Sequence, residues 1–576
     1  MAPDFDREAA LRRLAGEEFD LLVVGGGVTG CGVALDAASR GLRTALVEAA
    51  DFAHGTSSKS SKLIHGGLRY LQQHDYLLVY EALHERQRLI RNAPHLVHPL
   101  PFLIPLFGRN GMVAKGVTQA YSTALWLYDA TGGVRIGHRH QRIDADEALA
   151  HFPGLRTDRL VASFLYWDAQ ADDARLTLAL ARTASAHGAA VANYAPVDAF
   201  LQAGGRVCGV RLRDGTEVGA RVVVNAGGVW SEQIGRLGPA HDDGISIRPA
   251  KGIHITVPAD RLPCDYASVL SVPGDRRSVF VVPWAADEAT GPAGRARYTY
   301  VGTTDTDYQG SLDEPRCTAE DVAYLLGAVN AWTGASLTPD DISGSWAGLR
   351  PLISDARSAR TADLSRRHRV VVGGDGLVTV TGGKLTTYRQ MAADTVDAAL
   401  GAPIQPWLRR LPGAGGRRGP PSVSARLVLV GGEHGGRPAP GTAERARRLG
   451  LDPAGFSHLC GRHGHEAADV LDMCEGRTEL ARRLHPDLPY IEAEVVWAGR
   501  REMARTVTDV LARRTRALIL DRAAARSVAG RVAELLGPVI GLNPQQRMAQ
   551  VADFERLVDA ETAAEAPAGP RNALAP

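Results

Sequence analysis

The stretch that most constrains the fold reads FDLLVVGGGVTGCGVALDAASRGLRTALVEA and covers residues 19–49. An apolar run, a glycine-rich turn, a helical segment and a second apolar run follow one another, which is typical of a β-α-β unit. Gly25 permits the tight turn, Gly27 lets the backbone approach a pyrophosphate, and Gly30 lets the helix pack against the strand. The helix N-terminus offers free N–H groups to phosphates, and Glu48 can accept hydrogen bonds from a ribose. These residues predict a dinucleotide-binding domain.

Length and charge exclude several classes of protein. A chain of 576 residues is too long for one simple core, so we expect two or more domains. Its 66 basic and 64 acidic side chains nearly cancel, which gives no basic surface for nucleic acid. No stretch reaches the roughly 18 apolar residues that span a bilayer, and the first residues lack the features of a signal peptide. We therefore expect a cytoplasmic protein with no nucleic-acid partner.

Two polar clusters suggest other chemistry. The first consists of Cys460, His463, His465 and Cys474. Their spacing matches no zinc pattern, so we predict no metal. The second, His65-Gly66-Gly67, is found in hydrolase oxyanion holes, but such enzymes also need G-x-S-x-G. The sequence has no serine with glycine two positions before it and two positions after it, which excludes a serine hydrolase.

Features outside the glycine turn favour a flavin over NAD. After Glu48 the chain enters a polar loop, ADFAHGTSSKSSKLIHGG, where an NAD-binding domain would continue with another regular β-α unit. Two later apolar strands end on small residues, in VVVNAGGVW (222–230) and VTVTGGKLTTYR (378–389). Such strand ends can press their backbone against a large planar ring. A helix starting at Lys384 would direct its positive end at a ring that becomes anionic on reduction.

Several long motifs follow one another in a recognisable order. They are GTSSKSSKLIHGGLRYL, ADDARL, VGTTDTDY, AGLRPL and GGKLTTYR, within residues 19 to about 400, and then VVWAGRREMARTVTDVLARRTRALIL. In these motifs the chain resembles the FAD-dependent glycerol-3-phosphate dehydrogenases. The resemblance implies an α/β (α+β) fold with a glutathione-reductase-like, FAD-binding Rossmann domain, an antiparallel-sheet substrate domain of the D-amino-acid-oxidase type and a C-terminal helical domain.

The predicted domain boundaries follow from this pattern. We expect an oxidoreductase domain at 18–410, a linker rich in glycine, proline and arginine at 411–424, a helical cap domain at 425–560 and a disordered tail at 561–576. The FAD-binding parts are predicted at about 18–95, 160–235 and 340–400, and the substrate-domain parts at about 96–159 and 236–339.

The resemblance also implies an activity. Members of the family bind FAD non-covalently and oxidise sn-glycerol 3-phosphate to dihydroxyacetone phosphate by hydride transfer from C2 to flavin N5. Electrons then pass to a membrane quinone, which implies peripheral contact with the inner face of the cell membrane. The alternatives are an oxidase that reduces O2 to hydrogen peroxide and a non-catalytic flavin-binding module. The sequence leaves the oligomeric state open, with a homodimer among the states it allows.

The family motifs also assign site residues. The implied FAD contacts are Gly25, Gly27, Gly30, Glu48, Thr56, Ser57, Ser61, Lys62, Leu63, Ile64, Ala226, Gly227, Gly382, Gly383, Lys384, Leu385 and Thr386. The implied substrate-site and catalytic residues are His65, Arg69, Tyr70, His254, Arg350, Arg366 and Lys384. The segment LSRRHRV also allows Arg367 in place of Arg366.

Residue chemistry agrees with parts of this assignment and leaves others open. A phosphate dianion needs paired planar cations, which Arg350 and Arg366 can provide. His254 is a suitable base for the C2 hydroxyl, with His65 and Lys384 as other candidates, although its strand GIHITV, taken without the resemblance, favours a buried core histidine. The apolar segment HLVHPLPFLIPLF (95–107) is either a membrane-dipping segment or a buried crossover loop.

Overall fold

The chain folds around two β-sheets. The computed structural model describes residues 5–68, 75–108, 113, 115–238, 244–275, 277–284, 296–354, 368–401 and 420–566. The strands within these residues are β1 (Phe19–Val24), β2 (Thr44–Val47), β3 (Leu63–Ile64), β4 (Val97–Phe107), β5 (Gln141–Asp144), β6 (Leu160–Ala171), β7 (Ala190–Ala192), β8 (Val197–Ala203), β9 (Arg206–Leu212), β10 (Glu217–Asn225), β11 (Ile247–Pro258), β12 (Ala267–Ser271), β13 (Ser278–Trp284), β14 (Tyr298–Gly302), β15 (Thr306–Asp307), β16 (Gly344–Ile353), β17 (Arg369–Val372) and β18 (Val378–Thr381).

Helices flank the sheets and form most of the C-terminal part. They are α1 (Arg7–Gly16), α2 (Val28–Ser39), α3 (Tyr76–Asn92), α4 (Lys115–Ala130), α5 (Ala145–His151), α6 (Asp173–Ala186), α7 (Ser231–Gly235), α8 (Ala319–Asn330), α9 (Tyr388–Gly401), α10 (Glu433–Gly436), α11 (Thr442–Arg448), α12 (Pro453–His463), α13 (Ala467–Asp472), α14 (Glu492–Arg501), α15 (Ala517–Leu520), α16 (Arg522–Ser527), α17 (Ala529–Ile540) and α18 (Pro544–Glu565).

The first sheet contains the predicted dinucleotide unit. Its strand order is β17-β18-β10-β1-β2-β7, and β1 pairs in parallel with both β2 and β10. Every residue of β1 is buried, as expected for a parallel strand covered on both faces. Helix α2 packs against α6 and α9 over this sheet. The hairpin β9-β10 turns at Asp214-Gly215, as the sequence predicts.

The second sheet is mixed and mostly antiparallel. Its order is β15-β11-β14-β13-β12-β4-β6-β3, with β16 added beside β11 and β5 beside β6. Strands β11 and β16 pair over most of their length, with His254 opposite Trp346 and Ala250 opposite Arg350. This pairing fixes which side chains of the two strands are neighbours.

The C-terminal helices share an apolar core with the second sheet. One continuous cluster of buried side chains includes Phe102 and Tyr300 from strands together with Leu488, Val495 and Trp497 from the helical part. Since apolar burial is the main stabilising contribution, these helices are held against the sheet by the same core that supports its strands.

The structure corrects two sequence predictions. The segment 95–107 neither dips into a membrane nor forms a loop, because residues 97–107 form β4, paired with β6 and largely buried. Residues 561–565, predicted to open a disordered tail, form the last turn of α18. Most of the predicted linker and the rest of the tail lie outside the described residues.

Two further predictions concern metals and membranes. Within the described part of the chain, no group of three or more histidine, cysteine, aspartate or glutamate side chains could hold a metal ion. His463 instead lies 3.3 Å from the carboxylate of Glu494. No helix among the described residues is long and apolar enough to cross a membrane.

Candidate functional site

A cavity of about 720 Å³ lies where the two sheets meet. This volume is in the range of small-molecule and cofactor sites. The predicted site residues that line it are Gly25, Gly27, Glu48, Thr56, Ser57, Ser61, Leu63, His65, Ala226, Gly227, His254, Arg350, Gly382, Gly383, Lys384, Leu385 and Thr386. Residues far apart in sequence therefore converge on one site.

Other predicted residues lie elsewhere. Gly30, Lys62 and Ile64 are described but do not line the cavity. Ile64 is fully buried in an apolar cluster of the first sheet. The Lys62 ammonium group donates to Ser58 and Asp173, which do not line the cavity, and to Ser60 O. Three predicted residues lie outside the described residues, namely Arg69, Tyr70 and Arg366, as does the alternative Arg367.

The glycine turn has the backbone that the sequence predicts. Gly25 has φ +116°, and a Cβ there would approach Ala226 O to 2.6 Å. A Cβ on Gly30 would lie 1.9 Å from Gly25 O, so only glycine allows the helix to start this close to β1. Gly27 is the N-cap of α2, and the next amide, Val28 N, donates to Ser57 Oγ at 2.9 Å.

Glu48 is fixed beside this turn by backbone groups. Its two carboxylate oxygens accept from Gly26 N at 2.5 Å and from Ala50 N at 2.8 Å. Burial raises the pKa of Glu48, while these two N–H groups favour its charged form. The carboxylate is therefore rigidly placed at the cavity wall, where its remaining lone pairs can accept from hydroxyl groups.

The loop after β2 and the end of β18 close the cavity from two sides. Thr56 Oγ1 donates to Leu349 O at 2.5 Å, and His65 N donates to Thr386 Oγ1 at 3.2 Å. The helix predicted to start at Lys384 begins at Tyr388, because Leu385–Thr387 form a 3-10 turn capped by Lys384. The N-terminal end of this helical segment still lies at the cavity.

His254 lies on β11 and is 2% exposed. Its Nε2 lies 2.9 Å from Ser61 Oγ, and its ring stacks on Trp346 with centroids 4.6 Å apart and planes inclined by 8°. Burial, followed by the charges of Lys62 and Arg350, lowers the pKa of His254 well below its ordinary value. The imidazole is therefore neutral at physiological pH and able to accept a proton.

Arg350 lies on β16 beside the same part of the cavity. Its guanidinium donates to Thr303 Oγ1 at 3.2 Å and to Thr304 O at 3.3 Å. A Cβ at Gly252 would lie 2.5 Å from Arg350 Nη2. The absence of a side chain at position 252 therefore leaves room for the guanidinium over β11. A fixed planar cation of this kind suits an anionic ligand.

Sequence reasoning missed several lining residues. Lys59, Arg213, Trp230 and Thr303 all line the cavity, and burial lowers the pKa of Lys59. Lys59 and Thr303 lie within the motifs GTSSKSSKLIHGGLRYL and VGTTDTDY, so the motifs could have indicated that these two residues belong to the site. Trp230 ends the quoted segment VVVNAGGVW, and Arg213 lies between β9 and the Asp214-Gly215 turn; only the tertiary fold brings these two residues to the site.

Comparisons with known proteins agree with this geometry. The model of the FAD dependent oxidoreductase family matches residues 20–389, and that of the C-terminal domain of alpha-glycerophosphate oxidase matches residues 422–547. The glycerol-3-phosphate dehydrogenase 2 of Mycobacterium bovis is 40% identical over 570 residues, covering 97% of this chain and 91% of that protein. The chain belongs to the glycerol-3-phosphate dehydrogenase family.

A further relative and two solved structures extend the likeness. The mitochondrial enzyme of Mus musculus is 37% identical over 578 residues, covering 96% of this chain and 75% of that protein. The crystal structure of the Bacillus halodurans enzyme complexed with FAD has a TM-score of 0.75 at 29% identity and covers 98% of both chains. The L-alpha-glycerophosphate oxidase of Mycoplasma pneumoniae, at 19% identity and a TM-score of 0.51, shares the fold over 66% of this chain.

Membership in the glycerol-3-phosphate dehydrogenase family confirms the predicted fold class and the predicted cofactor, FAD. The cavity fits that cofactor. Gly25 and Gly27 of the glycine turn line it without side chains, the N-terminus of α2 can bind a pyrophosphate, and the strand ends at Ala226-Gly227 and Gly382-Gly383 present backbone to a planar ring.

Proposed function

We propose that the chain oxidises sn-glycerol 3-phosphate to dihydroxyacetone phosphate. The observation that carries this proposal is the convergence of His254 and Arg350, from neighbouring strands, on the cavity that contains the glycine turn. A neutral base and a fixed cation are the two groups that oxidation of a phosphorylated secondary alcohol needs.

Each residue has a defined task in this proposal. Arg350 binds the phosphate, since charge-assisted hydrogen bonds contribute about 1.5 to 3 kcal/mol each. His254 removes the proton of the C2 hydroxyl, so that the carbon–oxygen double bond forms as the hydride leaves C2. Bound FAD supplies the hydride acceptor. Burial of His254 keeps the imidazole neutral until the substrate proton arrives.

Anaerobic addition of sn-glycerol 3-phosphate to the purified holoenzyme tests the activity. The visible absorption of the flavin should bleach, whereas glycerol, which lacks the phosphate, should leave it nearly unchanged. A bound flavin that keeps its colour with glycerol 3-phosphate would refute the proposal and favour a non-catalytic flavin-binding module.

Replacement of His254 by asparagine tests the base. General-base catalysis typically contributes a factor of about 10² to 10⁴, so His254→Asn should slow flavin reduction by that order while substrate affinity changes much less. Stopped-flow reduction at several substrate concentrations separates the two quantities. An unchanged reduction rate would transfer the role to His65 or Lys384.

We further propose a membrane quinone as the electron acceptor, as the family resemblance implies. The reduced enzyme should reoxidise rapidly with a soluble quinone analogue and slowly with O2. Rapid oxygen consumption with hydrogen peroxide release in the absence of quinone would instead identify an oxidase.

The surface formed by α3 and α4 supports contact with a membrane. Leu77, Tyr80 and Trp126 are 74%, 51% and 66% exposed, and a groove between the two helices is lined mostly by small and apolar side chains. The segment after α4, GGVRIGHRHQR at 132–142, is basic. Apolar side chains next to cations suit an interface that contains anionic lipids.

Co-sedimentation with vesicles of anionic phospholipid measures this contact. Leu77→Glu and Trp126→Glu should release the protein from the vesicles, whereas Met548→Glu, at a 67% exposed position of α18, should not. Equal binding of all three variants would exclude the surface formed by α3 and α4.

A further inference from the structure

Lys62 is a buried lysine that the cofactor cavity does not use. Its side chain is 1% exposed, and it does not line the cavity. Its ammonium group lies 3.3 Å from Ser58 O, 3.4 Å from Ser60 O and 3.4 Å from an oxygen of Asp173. Burying a charge costs free energy. Since Lys62 does not line the cavity, contact of its amine with FAD does not explain why the amine is buried.

The amine contacts the aromatic partner of the proposed base. Lys62 Nζ lies 4.2 Å from the ring centroid of Trp346, a distance at which a cation interacts with the π system. The same indole stacks on His254, and its Nε1 donates to Ser60 O at 3.0 Å. Lys62, Trp346 and His254 therefore form one packed series.

The backbone next to Lys62 also holds the imidazole. Ser61 Oγ lies 2.9 Å from His254 Nε2, and Tyr300 Oη donates to Ser61 O at 2.8 Å. Segment 60–62 thus fixes His254 by a hydrogen bond to one ring nitrogen and by the indole against its face.

The positive charge of Lys62 also affects the protonation of His254. Among the residues that the structure describes, Lys62 and Arg350 are the charged groups that act on His254, and both lower its pKa in addition to burial. The groups that face Lys62 are Asp173, Arg516 and Asp172, and burial lowers the pKa of Lys62 to about 7. Since the pKa of His254 lies below that of Lys62, Lys62 still carries its charge when His254 takes up a proton.

We propose that Lys62 is a positioning residue for His254, holding its ring through Trp346 and the 60–62 backbone and keeping it in the neutral, proton-accepting form. The catalytic meaning of this inference rests on the proposed function. The predicted effect of Lys62 on the protonation of His254 does not depend on the proposed function, because it concerns one side chain of the holoenzyme without substrate.

The test compares Lys62→Met with Lys251→Met in the FAD-bound enzyme. Lys251 is a suitable control because it is also buried, lies on β11 with His254, and binds Asp321 on α8 at 2.5 Å. Protein labelled with ¹³C at the histidine ring carbons is titrated by NMR, and the His254 signal is assigned by its loss in His254→Asn. No substrate is needed, so failure of the proposed function would not affect this result.

Removing a nearby positive charge should raise the titration midpoint of His254 by about one pH unit in Lys62→Met. The lower limb of the pH profile for flavin reduction should move by the same amount. Lys251→Met should leave both unchanged. An unshifted His254 midpoint in Lys62→Met would overturn the proposal, as would loss of FAD from Lys62→Met alone, since that would make Lys62 a structural part of the cofactor loop.

Discussion

At the scale of single residues, backbone constraints were predictable and side-chain directions were not. The roles of Gly25 and Gly30 follow from local sterics, and the structure shows the clashes that any Cβ would cause. Lys62 was predicted as an FAD contact, yet its partners Asp173 and Trp346 come from distant segments. No local pattern could have revealed them.

Gly30→Ala is expected to lose FAD. The added Cβ would sit 1.9 Å from Gly25 O, and relieving the clash should move α2 away from β1 at a cost of about 1 to 3 kcal/mol. Flavin absorbance per protein and the free energy of unfolding measure the two effects. Gly16→Ala is the control, since a Cβ there meets nothing within 4 Å; full FAD content in Gly30→Ala would contradict the packing argument.

At the scale of elements, the sequence predicted that the cap domain is helical but not where its helices are interrupted. Within the cap-domain motif VVWAGRREMARTVTDVLARRTRALIL, helix α14 ends at Arg501, and residues 509–514 form a π-helix before α15. The reason is tertiary. Arg513 and Arg514 turn inward to bind Asp51, with donor–acceptor distances of 2.6 to 2.9 Å. The spacing of apolar residues indicates which face of a helix is buried, but it cannot indicate a buried ion pair with a distant element.

Arg514→Met should weaken FAD binding from outside the cavity. Burial alone would raise the pKa of Asp51, but Arg514 and Arg513 hold it well below its ordinary value. Loss of one partner from such a buried pair costs about 3 to 5 kcal/mol, and Asp51 begins the loop that carries Thr56 and Ser57.

Chemical denaturation and FAD titration measure these two effects of Arg514→Met. The control is Arg526→Met, whose ion pair with Asp559 is largely exposed and should contribute less than about 1 kcal/mol. Equal stability of the two variants would show that the Asp51 cluster is not a stabilising contact.

At the scale of the whole molecule, the sequence predicted the FAD-binding unit and the antiparallel sheet but not how they join. Strand β4 illustrates the difference. Its apolar, proline-containing sequence suits a membrane interface, a loop or a strand, and only pairing with β6 along its length selects the strand. Long-range pairing is a property of the complete chain, and a local window cannot contain it.

Acid should destabilise the molecule in a defined range. Burial lowers the pKa of His54, His95 and His458 to about 3 each. The unfolded chain takes up protons at these histidines near pH 6.5 and the folded chain does not, so stability is lost as pH falls from about 6.5 towards 3.

The free energy of unfolding should fall by about 1.4 kcal/mol per histidine for each unit by which the pH is lowered. Urea unfolding between pH 7 and pH 5 measures it, and His95→Gln should reduce the slope by the contribution of one proton. Stability that is independent of pH over this range would contradict the assigned burial of the three side chains.

The ion pairs between Asp51 and Arg513–Arg514 also bear on biosynthesis. Ribosomes release a chain from its N-terminus, and domains generally fold as they emerge. The loop that begins at Asp51 leaves the ribosome long before the arginines that anchor it. The nascent FAD-binding unit can therefore form its first sheet early, but its cofactor loop gains its anchors only near the end of translation. A ribosome stalled after residue 401 has left the exit tunnel, but before Arg513 has been added, should accordingly carry a nascent chain that captures FAD poorly, and flavin loading should follow the completion of synthesis.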